Sequence, residues 1–243
     1  MRFGTIFTLK SSVVAVCIAL LLGFSTTSRA QGVTNLNAGD SINFSSLVGT
    51  NGLAVQIGDK HFADFDFQYS DTDGNIGNDL TPTALTLTAL SNQIGFGISF
   101  TGPMAALGNV IKDIVVRFSI AVTNSSQLIS DIHLDYNGTV HGSGFSTVTE
   151  TIFTGGFGAN QISQIDVFNL GSTNLLATAA NLPSPQPKVY VEKDIVYGGG
   201  DFGNTNSAFI SIIDQTFSQV PEPSTILLSV TGLVSLLFIK RRK

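Results

Sequence analysis

Apolar residues recur at every second position along much of this chain. Residues 131–136 read Asp-Ile-His-Leu-Asp-Tyr, which puts Ile132, Leu134 and Tyr136 in phase. A period of two places alternate side chains on one face of a β-strand. The same reading predicts strands over residues 53–57, 62–69, 83–90, 94–100, 114–122, 146–153, 162–168, 189–197 and 208–217. Residues 83–90 alternate Thr or Ala with Leu, and the β-branched Thr83, Thr86 and Thr88 favour strand over helix. Gly74-Asn75, Asn137-Gly138, Gly155-Gly156 and Gly198-Gly199-Gly200 fall between these runs and read as turns. No long stretch sustains a 3.6-residue period. Many short strands with such punctuation predict an all-β fold, a single β-sandwich or jelly-roll-like ectodomain. Residues 181–187, with prolines at 183, 185 and 187, read as an extended polyproline-like crossing over the surface of one domain.

The two ends depart from this pattern. Arg2 and Lys10 precede a ten-residue apolar run at 13–22, and Ser28-Arg29-Ala30 offers small residues at a cleavage site. That order is expected of a signal peptide over residues 1–30, with the mature chain starting near Gln31. Its removal takes away Cys17, the single cysteine of 243 residues. The body then has no disulfide and no thiolate metal site. At the other end, Val220-Pro221-Glu222-Pro223-Ser224-Thr225 leads into residues 226–239, which carry no charge, and then into Lys240-Arg241-Arg242-Lys243. As a helix, 14 residues cover about 21 Å, short of a bilayer core of about 30 Å. Flanking residues, snorkelling of Lys240 and local thinning close that gap. The basic tetrad would hold the tail on the cytoplasmic side, and four adjacent charges resist burial in a protein core. A transmembrane helix over 226–239 is therefore expected.

The proline-glutamate-proline motif, the apolar segment and the basic tip, in that order behind a secretory signal, resemble the PEP-CTERM protein-sorting signal of Gram-negative bacteria. The resemblance covers residues 220–243, with the motif at 220–225. It implies recognition by an exosortase, an integral-membrane thiol transpeptidase-like enzyme, and cleavage near Pro221, Glu222 and Pro223. It implies passage through the inner membrane as a precursor, then delivery to the cell surface or the extracellular matrix. Proteins of this kind are linked with exopolysaccharide, biofilm and floc formation. A shorter segment, Gly58-Asp59-Lys60-His61-Phe62-Ala63-Asp64-Phe65, resembles the Gly-Asp-Lys-x-Phe-x-x-Phe stretch found early in ectodomains of this kind. The residues themselves predict a turn at Gly58-Asp59 and core positions at Phe62 and Phe65.

Charge narrows the partners. The whole chain carries −5, but residues 31–219 hold five bases against 16 acids, a net of −11. A body so acidic, with no basic cluster, is a poor nucleic-acid binder. His61, His133 and His141 lack zinc-ligand spacing. Calcium is the one metal with a candidate loop, through Asp71, Asp73, Asn75 and Asp79. Ile76 stands where such a loop needs glycine and Pro82 where it needs glutamate, so a solvated turn explains the same residues. Asp64 and Asp66 share a strand face at a spacing a glycosidase could use, as many solvated acids do. Gly142-Ser143-Gly144 beside His141 is not a nucleophile elbow, and Gly198-Gly199-Gly200 lacks the lysine of a phosphate loop. Tryptophan is absent and tyrosines number four, so no sugar platform stands out. The expected protein is a non-enzymatic surface or matrix protein without a resident cofactor. A carbohydrate- or calcium-binding module and a polysaccharide-modifying hydrolase are the alternatives.

Overall fold

The computed structural model describes residues 32–49, 52–72, 80–200 and 206–222. The fold is all-β, and among the described residues there is no α-helix, only 3-10 turns at Phe44–Ser46 and Pro82–Ala84. Among the described residues fourteen strands follow in order: β1 (Val33–Leu36), β2 (Ser41–Asn43), β3 (Ala54–Ile57), β4 (Lys60–Asp71), β5 (Thr86–Ser91), β6 (Phe96–Leu107) and β7 (Ile111–Val122). They continue with β8 (Gln127–His141), β9 (Phe145–Thr154), β10 (Asn160–Asn169), β11 (Asn174–Leu175), β12 (Ala177–Gln186), β13 (Lys188–Gly198) and β14 (Ser207–Pro221).

The strands form two sheets. The first has eight strands in the order β1-β3-β4-β7-β13-β9-β10-β11, and the second six in the order β12-β8-β14-β6-β5-β2. Among the described residues, only β1 and β3 pair in parallel. From β6 onward the chain repeatedly crosses between sheets, so that β7-β13-β9-β10 faces β6-β14-β8-β12. Late strands are thus inserted between early ones in both sheets, the winding of a jelly roll.

One core lies between the sheets, and the period-two pattern explains its membership. In β13, Val189, Val191, Ile195 and Tyr197 point inward; in β8, Ile132, Leu134 and Tyr136 do. Phe118 of β7 is fully buried, with ring centroids 5.8 Å from Phe65, 6.1 Å from Phe62 and 6.1 Å from Phe100 of the opposite sheet. Two irregularities reset the alternation. A bulge between Ala63 and Asp66 brings Phe65 inward after Phe62, with Asp64 at φ 57°. A second, between Ile210 and Ile212, leaves Ser211 and Ile212 both outside and turns Ile213, Gln215 and Phe217 inward.

The Gly58-Asp59 turn falls where the sequence places it, joining β3 to β4 with Ile57 opposite Lys60. Gly58 has φ 56°, and a Cβ there would lie 2.4 Å from the Phe96 ring. Phe62 and Phe65 are buried.

Three local expectations are corrected. Asn137-Gly138 is no turn; both residues sit inside β8. A Cβ on Gly138 would lie 1.9 Å from the Tyr136 hydroxyl, so the glycine makes room for that ring to run along the strand toward Ser146. Residues 181–186 are not a free crossing but the end of edge strand β12, beside β8. Pairing lapses between Asn181 and Gln186, across Pro183 and Pro185, which have no N–H to offer a ladder. Residues 83–85 fall in the 3-10 turn and its cap; the strand starts at Thr86.

Replacing Phe118 with alanine removes a ring that touches both sheets and leaves a cavity. We expect a loss of about 3–5 kcal/mol in unfolding free energy, read from denaturant midpoints at constant m-value.

Candidate functional site

The body ends at the sorting motif. Pro221 is the last residue of β14, opposite Gln127, and the Glu222 N–H donates to the Ser126 carbonyl at 2.9 Å. Regular structure therefore runs into the motif as far as its first proline. Just before it, Gln219 joins the two sheets. Its amide donates to Asp59, and the Lys60 ammonium donates to Gln219 Oε1 at 3.0 Å and to Asp59 Oδ1 at 2.6 Å. The Asp-Lys pair of the short front segment thus clasps the strand that leads out of the body. Pro223 and the tail Lys240, Arg241, Arg242 and Lys243 lie outside the described residues, as do residues 1–31. Among the described residues, no helix is long and apolar enough to cross a membrane.

The outer face of the first sheet carries a network of paired charges. Asp64 accepts from the Ser119 hydroxyl at 2.6 Å and from Lys188 at 3.1 Å. Burial works to raise the Asp64 carboxyl, but these two donors outweigh it and hold it below the usual range. Asp66 meets Arg117 at 3.2 Å, and Arg117 Nε donates to Glu192 at 2.6 Å. The two acids share a face as expected, yet each is engaged by its own cation. A different pair is unusual. Asp113 and Asp194 lie diagonally across β7 and β13 in hydrogen-bonding contact, each with one buried oxygen that has no other partner among the described residues. Burial, then the Asp113 charge, push Asp194 up to about 6. Glycoside hydrolysis needs its two carboxyls about 5 Å apart or more, so a pair in direct contact does not fit that role.

Of the calcium candidates, only Asp71 is described. It ends β4 and accepts from the Tyr69 hydroxyl at 2.7 Å. Asp73, Asn75 and Asp79 lie outside the described residues. Among those described, no group of three or more metal-ligating side chains is present. His133 is half-buried between the inward Ile132 and Leu134 and meets Asp131 at 3.2 Å.

The outer face of the second sheet holds a groove of about 250 Å³, lined by Gly102, Pro103, Ala105, Thr139, Phe209 and Ser211 among others. Its origin is local. β6 carries an extra residue at Gly102-Pro103, and β14 carries one against β8, so the ladder loosens on both sides of Ser211. Phe209, 42% exposed, stands at this opening.

The least expected cluster lies inside. Lys193 of β13 and Glu150 of β9 are register partners, both fully buried, and their side chains are joined by a hydrogen-bonded ion contact. Lys193 also donates to Gln215 Oε1, carried by β14 of the opposite sheet and fully buried as well. Burial pushes the Lys193 amine down and the Glu150 carboxyl up, each toward its neutral form. Tyr197, one turn of the alternation beyond Ile195, is raised above its usual range by the same burial.

A two-sheet all-β body of this kind defines a fold class rather than an activity. The end of the chain is more specific: residues 219–243 match the PEP-CTERM protein-sorting motif, and the chain carries that motif. No curated protein matches the sequence. Among solved structures, the chain is similar to TmCBM61 in complex with beta-1,4-galactotriose, at 8% identity over 63% of this chain and 88% of that one, with a TM-score of 0.31. It is similar to bacteriophage CBA120 tailspike protein 4, at 10% identity over 63% of this chain and 19% of that one, TM-score 0.28. A third is the family 11 carbohydrate-binding module from Clostridium thermocellum, at 7% identity over 63% and 86%, TM-score 0.25. Likeness at this level assigns no ligand and no activity.

The Asp113–Asp194 pair makes stability depend on pH. Asp194 is 3.8 in its ordinary state and about 6 in the fold, so the folded chain holds the proton longer. The stabilisation it gives is full below about 4 and is lost as pH rises through about 6. In Asp194→Asn, the fall in melting temperature between pH 5 and pH 8 should shrink, and at pH 8 the variant should melt above the wild type.

Proposed function

We propose that this chain is a precursor of a non-enzymatic cell-surface or extracellular-matrix protein, sorted and trimmed by an exosortase, with a structural or adhesive role beside exopolysaccharide. The observation that carries this reading is the sorting motif at 219–243, placed where the folded body ends. The motif implies export and a membrane-anchored precursor. The body suits that destination in its chemistry. With its one cysteine at position 17, it draws nothing from disulfides and depends on a core spanning two broad sheets. Its acidic outer face, tied by Asp64–Lys188 and Asp66–Arg117–Glu192, keeps a hydrated surface and like-charged bodies apart.

A saccharide-binding role is the second reading, and the groove at Phe209 favours it. A half-exposed aromatic ring beside Thr139 and Ser211 offers an apolar face with hydroxyls at its rim. Retardation in polysaccharide gels that disappears in Phe209→Ala would select this reading over a purely structural one.

The sorting claim is tested in the producing cell. Mass spectrometry of the surface protein should recover peptides of the body and none from residues 226–243. With Lys240, Arg241, Arg242 and Lys243 replaced by glutamine, trimming and surface delivery should both fail. An untrimmed tail on the delivered wild-type protein contradicts the proposal.

A further inference from the structure

The fully buried Lys193, Glu150 and Gln215 bring an amine, a carboxyl and a carboxamide together where two sheets meet. Three features set this cluster apart from an ordinary buried ion pair. The first is dryness, since all three residues have no exposed surface. Water cannot compete there, and a charged pair gains little from solvent. The second is protonation. Burial drives the Lys193 amine and the Glu150 carboxyl toward neutrality, so the lysine offers a lone pair and the glutamic acid a proton. The third is an imbalance in hydrogen bonding. Gln215 Nε2 and Glu150 Oε1 are buried with no hydrogen bond among the described residues, although the Gln215 carboxamide lies close enough to Glu150 to weigh on its protonation. Orphaned buried donors and acceptors are costly, and their presence asks for an explanation.

We propose that Lys193 and Gln215 form an intramolecular isopeptide bond, with Glu150 as its proton-transfer catalyst. The Nζ lone pair attacks Cδ of Gln215, against whose oxygen it is already hydrogen-bonded. A bond from Nζ to Cδ forms as the bond from Cδ to Nε2 breaks. Glu150 takes one proton from Nζ and delivers one to Nε2, which departs as ammonia. The carboxyl ends as it began, and no oxidant, reductant or cofactor takes part. The product replaces an amine and a primary amide with one secondary amide, and the orphaned Nε2 is gone. The link would tie β13 of one sheet to β14 of the other, supplying the covalent bridge that a body without cysteine lacks.

The clasp at the chain's exit is an internal comparison. It holds the same three functional groups, an amine, a carboxyl and a carboxamide, on Lys60, Asp59 and Gln219, and it also joins the two sheets. There Gln219 Nε2 is satisfied by Asp59, and the Asp59 side chain is 26% exposed. A satisfied amide beside a partly exposed carboxyl has neither the dryness nor the orphaned nitrogen, so this clasp remains hydrogen-bonded.

The test is chemical and does not depend on where the chain is delivered. Protein made from the full chain, folded and untreated, is digested and its peptides are weighed. The peptides carrying Lys193 and Gln215 should appear joined and lighter than their sum by one ammonia, and exhaustive proteolysis should release ε-(γ-glutamyl)lysine. Lys60 and Gln219 should appear in separate peptides at full mass. In Glu150→Gln, shown to be folded by circular dichroism, the link should be lost. Separate, full-mass Lys193 and Gln215 peptides from folded wild type would overturn the bond. An unchanged yield of the link in Glu150→Gln would overturn the catalytic part. Should that variant not fold, the wild-type peptides alone decide.

Discussion

A polar contact joins the two sheets in the middle of an apolar core. Lys193 and Glu150 face each other across β13 and β9, and Gln215 reaches them from β14. Charged side chains at such positions are destabilising unless they neutralise each other and satisfy their hydrogen bonds. The surrounding structure fixes their geometry from several directions. β13 is held between β7 and β9 over nearly its whole length, and β14 between β6 and β8. Phe62, Phe65, Phe100 and Phe118 pack ring to ring across the two sheets in the same core.

Place and composition fit each other. Exported proteins commonly resist unfolding with disulfides, and residues 31–219 have no cysteine to use. Instead, the two sheets are tied at two points along β14, at Gln215 deep inside and at Gln219 near the exit. The second tie lies two residues before the proline that opens the sorting motif. The fold thus closes immediately ahead of the segment the sorting machinery must reach. Trimming beyond that point would leave both ties intact.

Most of the sandwich was legible as alternation, because a half-buried strand writes its two faces into the sequence. The inner cluster was legible in part. Lys193 is in phase with Val191 and Ile195, and Glu150 with Val148 and Ile152, so the period alone aims both inward. Lysine and glutamate are so rarely buried that the phase is easily overruled by residue type. Gln215 was hidden for another reason: the bulge at Ile210–Ile212 shifts the phase of β14, and bulges leave little trace in a single sequence. The Asp113–Asp194 contact and the groove at Phe209 depend on register between distant strands, which no local pattern encodes. At residues 137–138 a local turn signal was overridden by pairing in the sheet, and at 181–186 the prolines were taken into the end of a strand paired only at Asn181 and Gln186. The prolines found a place at an edge, where a missing N–H costs least.

The proposed isopeptide bond locks the sheets from within through the Lys193 nitrogen. Selective nitrogen-15 labelling of lysine side chains reads its bonding state in the intact, folded protein. With the bond formed, one lysine side-chain nitrogen should bear a single, exchange-protected amide proton, absent in Lys193→Met. If every lysine nitrogen, Lys193 included, is found as an amine or ammonium, the lock is contradicted.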